Sequence, residues 1–252
     1  MKSSQQWIDY FLINSQQNRI NWTKEPSPTQ KELQPILKSL QAWQLGESSD
    51  GKNLIRASTL YAKKIKDENY IGAVELFIKE EQKHGNNLGK YLDAIHQPRI
   101  KKNWGDTMFR KVRYFNTSME FWTLAVITVE STAQIFYQCL KKATNCNLLK
   151  EICTDILIDE APHIQFQKER MQIIFNAKPD WQKQFTLWFY KLFFFSTSMI
   201  VWFAHKKLFK AGGVNFKKYC HKMNTKYCKT LGKLNDYGIE NNIIQPQILR
   251  TH

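Results

Sequence analysis

The chain has 252 residues, 42% of them hydrophobic, with 37 basic against 22 acidic side chains and a formal net charge of +15. That length suits one domain of four to six helices around a dry core. Only ten glycines and seven prolines occur, and no long run alternates apolar with polar residues, so a sheet protein is excluded and the expected class is all-α. The five cysteines lack zinc-type spacing, which excludes a zinc module and fits reduced thiols in a cytosolic protein.

Residues 1–27 predict a short amphipathic helix, from about Trp7 to Ile13, and a linker punctuated by Glu25-Pro26-Ser27-Pro28. The apolar stretch holds Asp9 and lacks a small-residue cleavage site, so it does not read as a secretory signal. Ser27 before Pro28 fits a helix start, and a first long helix is expected from about Pro28 to Lys64. Gly46 inside it costs about 1 kcal/mol, which close approach of a neighbouring helix or a break in the helix would explain. A second helix is expected from Glu68 to Ile95 and a crossover from His96 to Gly105. A third runs from Asp106 to Ala143 and a fourth from Leu148 to Phe175. Pro162 inside the fourth predicts a kink or π-bulge. A full break at Ala161 is the alternative, and it would turn His163 off the helix face.

The second and fourth helices each carry one spacing, Glu81-Gln82-Lys83-His84 and Glu160-Ala161-Pro162-His163. Positions i and i+3 share a helix face, so each pair aims a carboxylate and an imidazole in one direction. That offers a hard oxygen and a borderline nitrogen to one iron or manganese ion. Chance placement gives about 0.3 such pairs in a chain of this composition, so two carry weight. Each pair follows a glutamate one helical hairpin earlier, Glu47 before the first and Glu130 before the second. With turns near Lys66 and Asn145, the partners in each hairpin fall within about one turn of equal height. The six candidate ligands are therefore Glu47, Glu81, His84, Glu130, Glu160 and His163, one Glu from each of two helices and one Glu-x-x-His from each of the others. Glu80 and Asp159 each precede a motif His by four positions and are expected to accept its second N–H, most simply across the bundle. Tyr137 lies seven positions after Glu130 on the same face. Two roles stay open for it: a core tyrosine, or a redox-active group that also bonds a ligand carboxylate. His96, His205, His221 and His252 fall in linker or tail segments and are not assigned to the site.

With these motifs residues 28–178 resemble the ferritin-like di-iron carboxylate superfamily. The resemblance implies a four-helix bundle, flanked here by an N-terminal helix and by C-terminal helices in residues 179–252. Two Glu-x-x-His pairs are more similar to its oxidase, oxygenase and rubrerythrin-type branches than to storage ferritins. No Cys-x-x-Cys is present for a rubrerythrin iron domain. Leu88 stands where the small subunits of ribonucleotide reductase place a radical tyrosine. The resemblance implies two Fe ions, or Fe with Mn, and activation of O2 to hydroxylate, desaturate or N-oxygenate a small or lipidic substrate. Electrons would come from a separate donor, since no flavin or ferredoxin motif occurs. A ferroxidase in iron handling and a tRNA-modifying hydroxylase are the alternatives.

Residues 185–204 form an apolar stretch in which only Lys191 is charged. Its length is enough to span a bilayer, and a fifth packed helix or a homodimer interface fits the same composition. From Trp181 to Asn235 no acidic residue occurs, whereas lysines abound. Lys206, Lys207, Lys210, Lys217 and Lys218 therefore predict contact with an anionic surface, membrane lipid rather than nucleic acid because arginine is absent from the stretch. The expected location is the cytoplasm, with contact to the inner face of its membrane.

Overall fold

The computed structural model describes residues 1–103 and 118–234, and among these it is helical without a strand. Among the described residues eight helices follow one another: α1 (Ser4–Ser15), α2 (Gln30–Glu47), α3 (Lys52–Ile65), α4 (Asn69–Ala94), α5 (Met119–Ala143), α6 (Asn147–Asn176), α7 (Asp180–Ala211) and α8 (Phe216–Thr230). The expected start of the third long helix, Asp106 onwards, lies partly outside the described residues.

Helix α2 begins two residues later than the Ser27–Pro28 signal suggests. Thr29 is its N-cap, and Thr29 and Glu32 cap one another reciprocally, satisfying two otherwise orphaned N–H groups. The expected single helix from Pro28 to Lys64 is in fact two. It ends at Glu47 and resumes at Lys52, and Gly51 at the joint has a φ of 66°, a left-handed conformation that glycine adopts without cost. Gly46 is not the point of close helix approach, because a Cβ there would meet nothing within 4 Å. That role belongs to Gly85 of α4, where a Cβ would lie 2.8 Å from Ser48 Oγ and 3.0 Å from the Glu47 carbonyl carbon. Helix α4 thus passes directly under the end of α2.

Helices α2, α4, α5 and α6 form the bundle, and α5 with α6 is its most extensive pairing. Leu40, Leu88, Phe136, Leu140, Leu149 and Ile152 are fully buried between them, each contributing about 1.5–3 kcal/mol through loss of apolar surface from water. Helix α6 continues through Pro162 without a break or a π turn, so the expected irregularity is not found and His163 keeps its place on the inner face. Helix α1 packs on α4 through Trp7 and Phe11.

Helix α7 lies against α5 and α2. It buries Tyr190, Phe194, Val201, Trp202 and Phe209 on one side, while Trp181, Phe185, Trp188, Leu192 and Phe203 stay exposed on the other. It is long and apolar enough to cross a membrane. Because half of its circumference is committed to the bundle, it lies along the protein instead of standing apart from it.

Candidate metal centre

The helix periods that bury Leu88 and Ile152 also turn a set of polar side chains into the middle of the bundle. Glu47 comes from the last turn of α2, Glu81 and His84 from α4, Glu130 from α5, and Glu160 and His163 from α6. His84, Glu160 and His163 are fully buried, and Glu130 is 5% exposed. Two overlapping groups result, Glu47–Glu81–His84 and Glu81–Glu130–His163. In each, one donor atom per residue lies within 4.8 Å of the others. Glu81 belongs to both. Glu160 belongs to neither but lies against Glu130, as Glu47 lies against Glu81.

The imidazoles are oriented from behind and crosswise. His84 Nε2 lies 3.0 Å from Asp159 Oδ2, and His163 Nε2 lies 2.6 Å from Glu80 Oε2. A carboxylate can only accept, so the ring proton sits on Nε2 and the Nδ1 lone pair faces the centre. His84 Nδ1 and both Glu160 oxygens have no N–H or hydroxyl partner among the described residues. His163 Nδ1 lies 2.7 Å from Glu81 Oε1 without the alignment of a hydrogen bond. Buried polar atoms left this way cost about 1–3 kcal/mol each, unless a cation gathers them.

Charge crowding shows in the proton affinities. Burial, and then the neighbouring Glu81, push the Glu47 carboxyl well above its usual range. Burial and the adjacent Glu130 do the same to Glu160, and Glu130 is also raised, chiefly by burial. Burial alone would lower both imidazoles. Asp159, Glu81 and Glu47 together outweigh it at His84, and Glu81, Glu80 and Glu130 together outweigh it at His163, so both are raised. Burial pushes Asp159 up, yet His84, Asn14 and Lys83 hold its carboxylate far below the ordinary value.

Several participants carry no signal in the sequence. Asn14 of α1 donates to Glu80 Oε1 and, at 2.8 Å, to Asp159 Oδ1, so one amide ties together the carboxylates behind both histidines. Arg19 donates to Asp155 and Asp159 at 2.8 Å each, and Lys83 lies 3.2 Å from Asp159. Trp43 Nε1 and Tyr137 Oη both donate to Glu47 Oε1, at 2.9 and 2.8 Å. Tyr137 remains a neutral phenol because burial, and then Glu47, push its ionisation well upward. The five lysines expected to meet an anionic surface are all exposed on α7 and α8 or the turn beyond, away from this cluster.

A cavity of about 650 Å³ reaches the cluster at Glu47, Glu81 and Glu130. Its wall is mostly apolar, with Trp43, Phe121 and Trp122 facing Phe193, Ile200 and Val201 of α7. His205, placed in a tail by its sequence position, also lines this wall. Its Nδ1 lies 3.0 Å from Ser39 Oγ, and its ring packs on Trp43 and Phe136.

Architectural parallels come from solved structures. A variant of an R2-like ligand-binding oxidase with an aerobically reconstituted Mn/Fe cofactor superposes at TM-score 0.62 and 15% identity, covering 92% of this chain and 93% of that one. A second variant, anaerobically reconstituted with Mn/Fe, gives 0.61 at 16% identity over 92% and 93%. The fold is ferritin-like. A third ferritin-like oxidase variant, reconstituted with Fe/Fe, matches at 0.59 and 15% identity with the same coverage. No family model matches this sequence, and no curated protein matches it.

Proposed function

We propose that this protein is an oxygen-activating oxidoreductase that holds two transition-metal ions, Fe/Fe or Mn/Fe, among Glu47, Glu81, His84, Glu130, Glu160 and His163. The observation that carries this reading is the pair of imidazoles whose Nε2 atoms are committed to Asp159 and Glu80 while their Nδ1 atoms point at four carboxylates. The donor set fits the group. Four carboxylates with two imidazoles are donors that suit iron or manganese, and the orphaned buried atoms supply positions a cation would satisfy. The Mn/Fe and Fe/Fe cofactors of the structurally similar oxidases support the same assignment.

Bound there, the metal ions supply the electrons and the Lewis acidity for reduction of dioxygen. The chain supplies everything else. Glu81 belongs to both donor groups and would be shared between them, and Asp159 and Glu80 hold each histidine in one tautomer. Trp43 and Tyr137 anchor Glu47 at the end of its helix. The aromatic cavity wall excludes water and presents an apolar carbon beside the carboxylates. A volume of about 650 Å³ accommodates a drug-sized or lipid-like molecule. The reaction class is therefore hydroxylation, desaturation or N-oxygenation of a small or lipidic substrate, with electrons from a separate donor. The described residues of 28–178 form the metal-holding unit, residues 1–27 buttress it from behind, and residues 179–234 close the substrate side.

The test is metal analysis and optical spectroscopy of protein loaded with Fe(II) without oxygen. About two metal ions per chain are expected, lost in Glu130→Ala, with a transient visible band on oxygenation. Absence of stoichiometric iron or manganese would overturn the reading.

A further inference from the structure

Helix α7 has two sides with different tasks. Its inner side carries Phe193, Ile200 and Val201 on the cavity wall. Its outer side leaves Trp181 78%, Phe185 74%, Trp188 59% and Phe203 62% exposed. These four positions, with Phe189 and Leu192, repeat at helical spacing and form one stripe along most of the helix. Single exposed apolar residues need no explanation, but a contiguous stripe of large aromatics marks a surface that meets an apolar phase or a partner.

Charge identifies the occupant. Beyond the stripe the exposed side of the helix continues into Lys206, Lys207 and Lys210, and Lys217 and Lys218 follow at the start of α8, all exposed. Between Trp181 and Leu234 there is no acidic side chain to balance them. At the helix start, Asp180 is already paired with Lys183 at 2.7 Å. A second copy of this chain would bring the same unbalanced lysines against each other. An anionic lipid surface would accept both features, aromatic rings at headgroup depth and lysines against phosphate.

We propose that the outer face of α7 is a peripheral docking surface for anionic phospholipid bilayers, with the aromatic stripe inserted and the lysines of α7 and α8 at the headgroups. Phe193 packs on exposed Phe189 at 6.4 Å and on cavity-lining Phe121 at 5.3 Å. The docking face and the cavity wall are thus one aromatic layer thick. If the substrate is lipidic, a point that rests on the proposed function, it would reach the cavity past this layer. Docking itself does not depend on the metal site.

The experiment is co-sedimentation of the full chain with vesicles of phosphatidylcholine, alone or with about one-quarter phosphatidylglycerol, with tryptophan fluorescence as a second readout. Binding to the anionic vesicles and a blue shift are expected, equally for metal-free and metal-loaded protein. The combined Trp181→Ser, Phe185→Ser, Trp188→Ser variant should bind at least about tenfold more weakly. The combined Lys206→Glu, Lys207→Glu, Lys210→Glu variant should lose the preference for anionic lipid. These residues are exposed, and unchanged helical circular dichroism would confirm that the variants fold. Failure of the unaltered protein to bind, or wild-type binding by the aromatic variant, would overturn the proposal. So would a dimer in sedimentation velocity that the aromatic variant dissolves without any vesicle binding, which would make the face an interface between copies.

Discussion

His205 offers a measurement of how dry the cavity wall is. It sits at the one irregular point of α7, with φ −120° and ψ 15°, enclosed by Trp43, Phe136 and Phe209. Burial lowers its pKa from 6.5 to about 4. The unfolded chain therefore holds a proton on this ring between about pH 6.5 and 4 that the folded protein refuses. Stability is complete above the higher value and is lost as pH falls toward the lower one. At about 1.4 kcal/mol per tenfold change in proton affinity, the full loss is about 3 kcal/mol, of which about 2 kcal/mol appears by pH 5. The buried carboxyls of Glu47, Glu130 and Glu160 also hold protons more tightly than usual, so the informative quantity is a difference. Urea unfolding of metal-free wild type and His205→Gln should be followed by circular dichroism from pH 7.5 to 5. The wild type is expected to lose about 2 kcal/mol more than the variant across that interval. Parallel curves would refute the reasoning and mean that water reaches the ring.

Three further outcomes are expected. Asn14→Ala leaves Glu80 and Asp159 without their shared donor and should cost about 1–3 kcal/mol in chemical denaturation, with metal retained about tenfold less tightly in a chelator competition. Gly85→Ala forces a methyl group against Ser48 and the Glu47 backbone. It should reduce metal stoichiometry, read by elemental analysis, while circular dichroism shows unchanged helix content. Ala125→Phe puts a ring into the cavity and should abolish binding of a fluorescent long-chain lipid without altering metal content.

The parts of this molecule that follow from local rules were legible in its sequence. Two Glu-x-x-His pairs with an upstream glutamate fixed which residues had to converge, because helical periodicity and equal height are properties of a single hairpin. The break in the first long helix, one of two readings of Gly46, falls instead at Ser48–Gly51. Which of two neighbouring glycines takes a positive φ, and which helix passes beneath, depends on the packing of α4. Asn14 and Arg19 were invisible for a similar reason, since a polar residue on a short amphipathic helix or in the linker after it does not reveal what it will face about 140 positions later. The apolar stretch of α7 was ambiguous in principle. Composition cannot separate a helix that is apolar on all sides from one whose inner side lines a cavity and whose outer side is bare.

The crossed pairs behind the histidines bear on how the centre can fail. His84 of α4 is held by Asp159 of α6, and His163 of α6 by Glu80 of α4. The two helices are thus latched at two points in opposite senses, one rung apart. A slide of either helix by one turn, about 5.4 Å, would release both latches together and part Glu81 of α4 from His163 of α6. No intermediate register keeps half of them. The geometry of the centre is therefore a property of the pair of helices, present in full or not at all, so a mutation weakening one latch shortens the lifetime of the whole arrangement instead of distorting one corner of it.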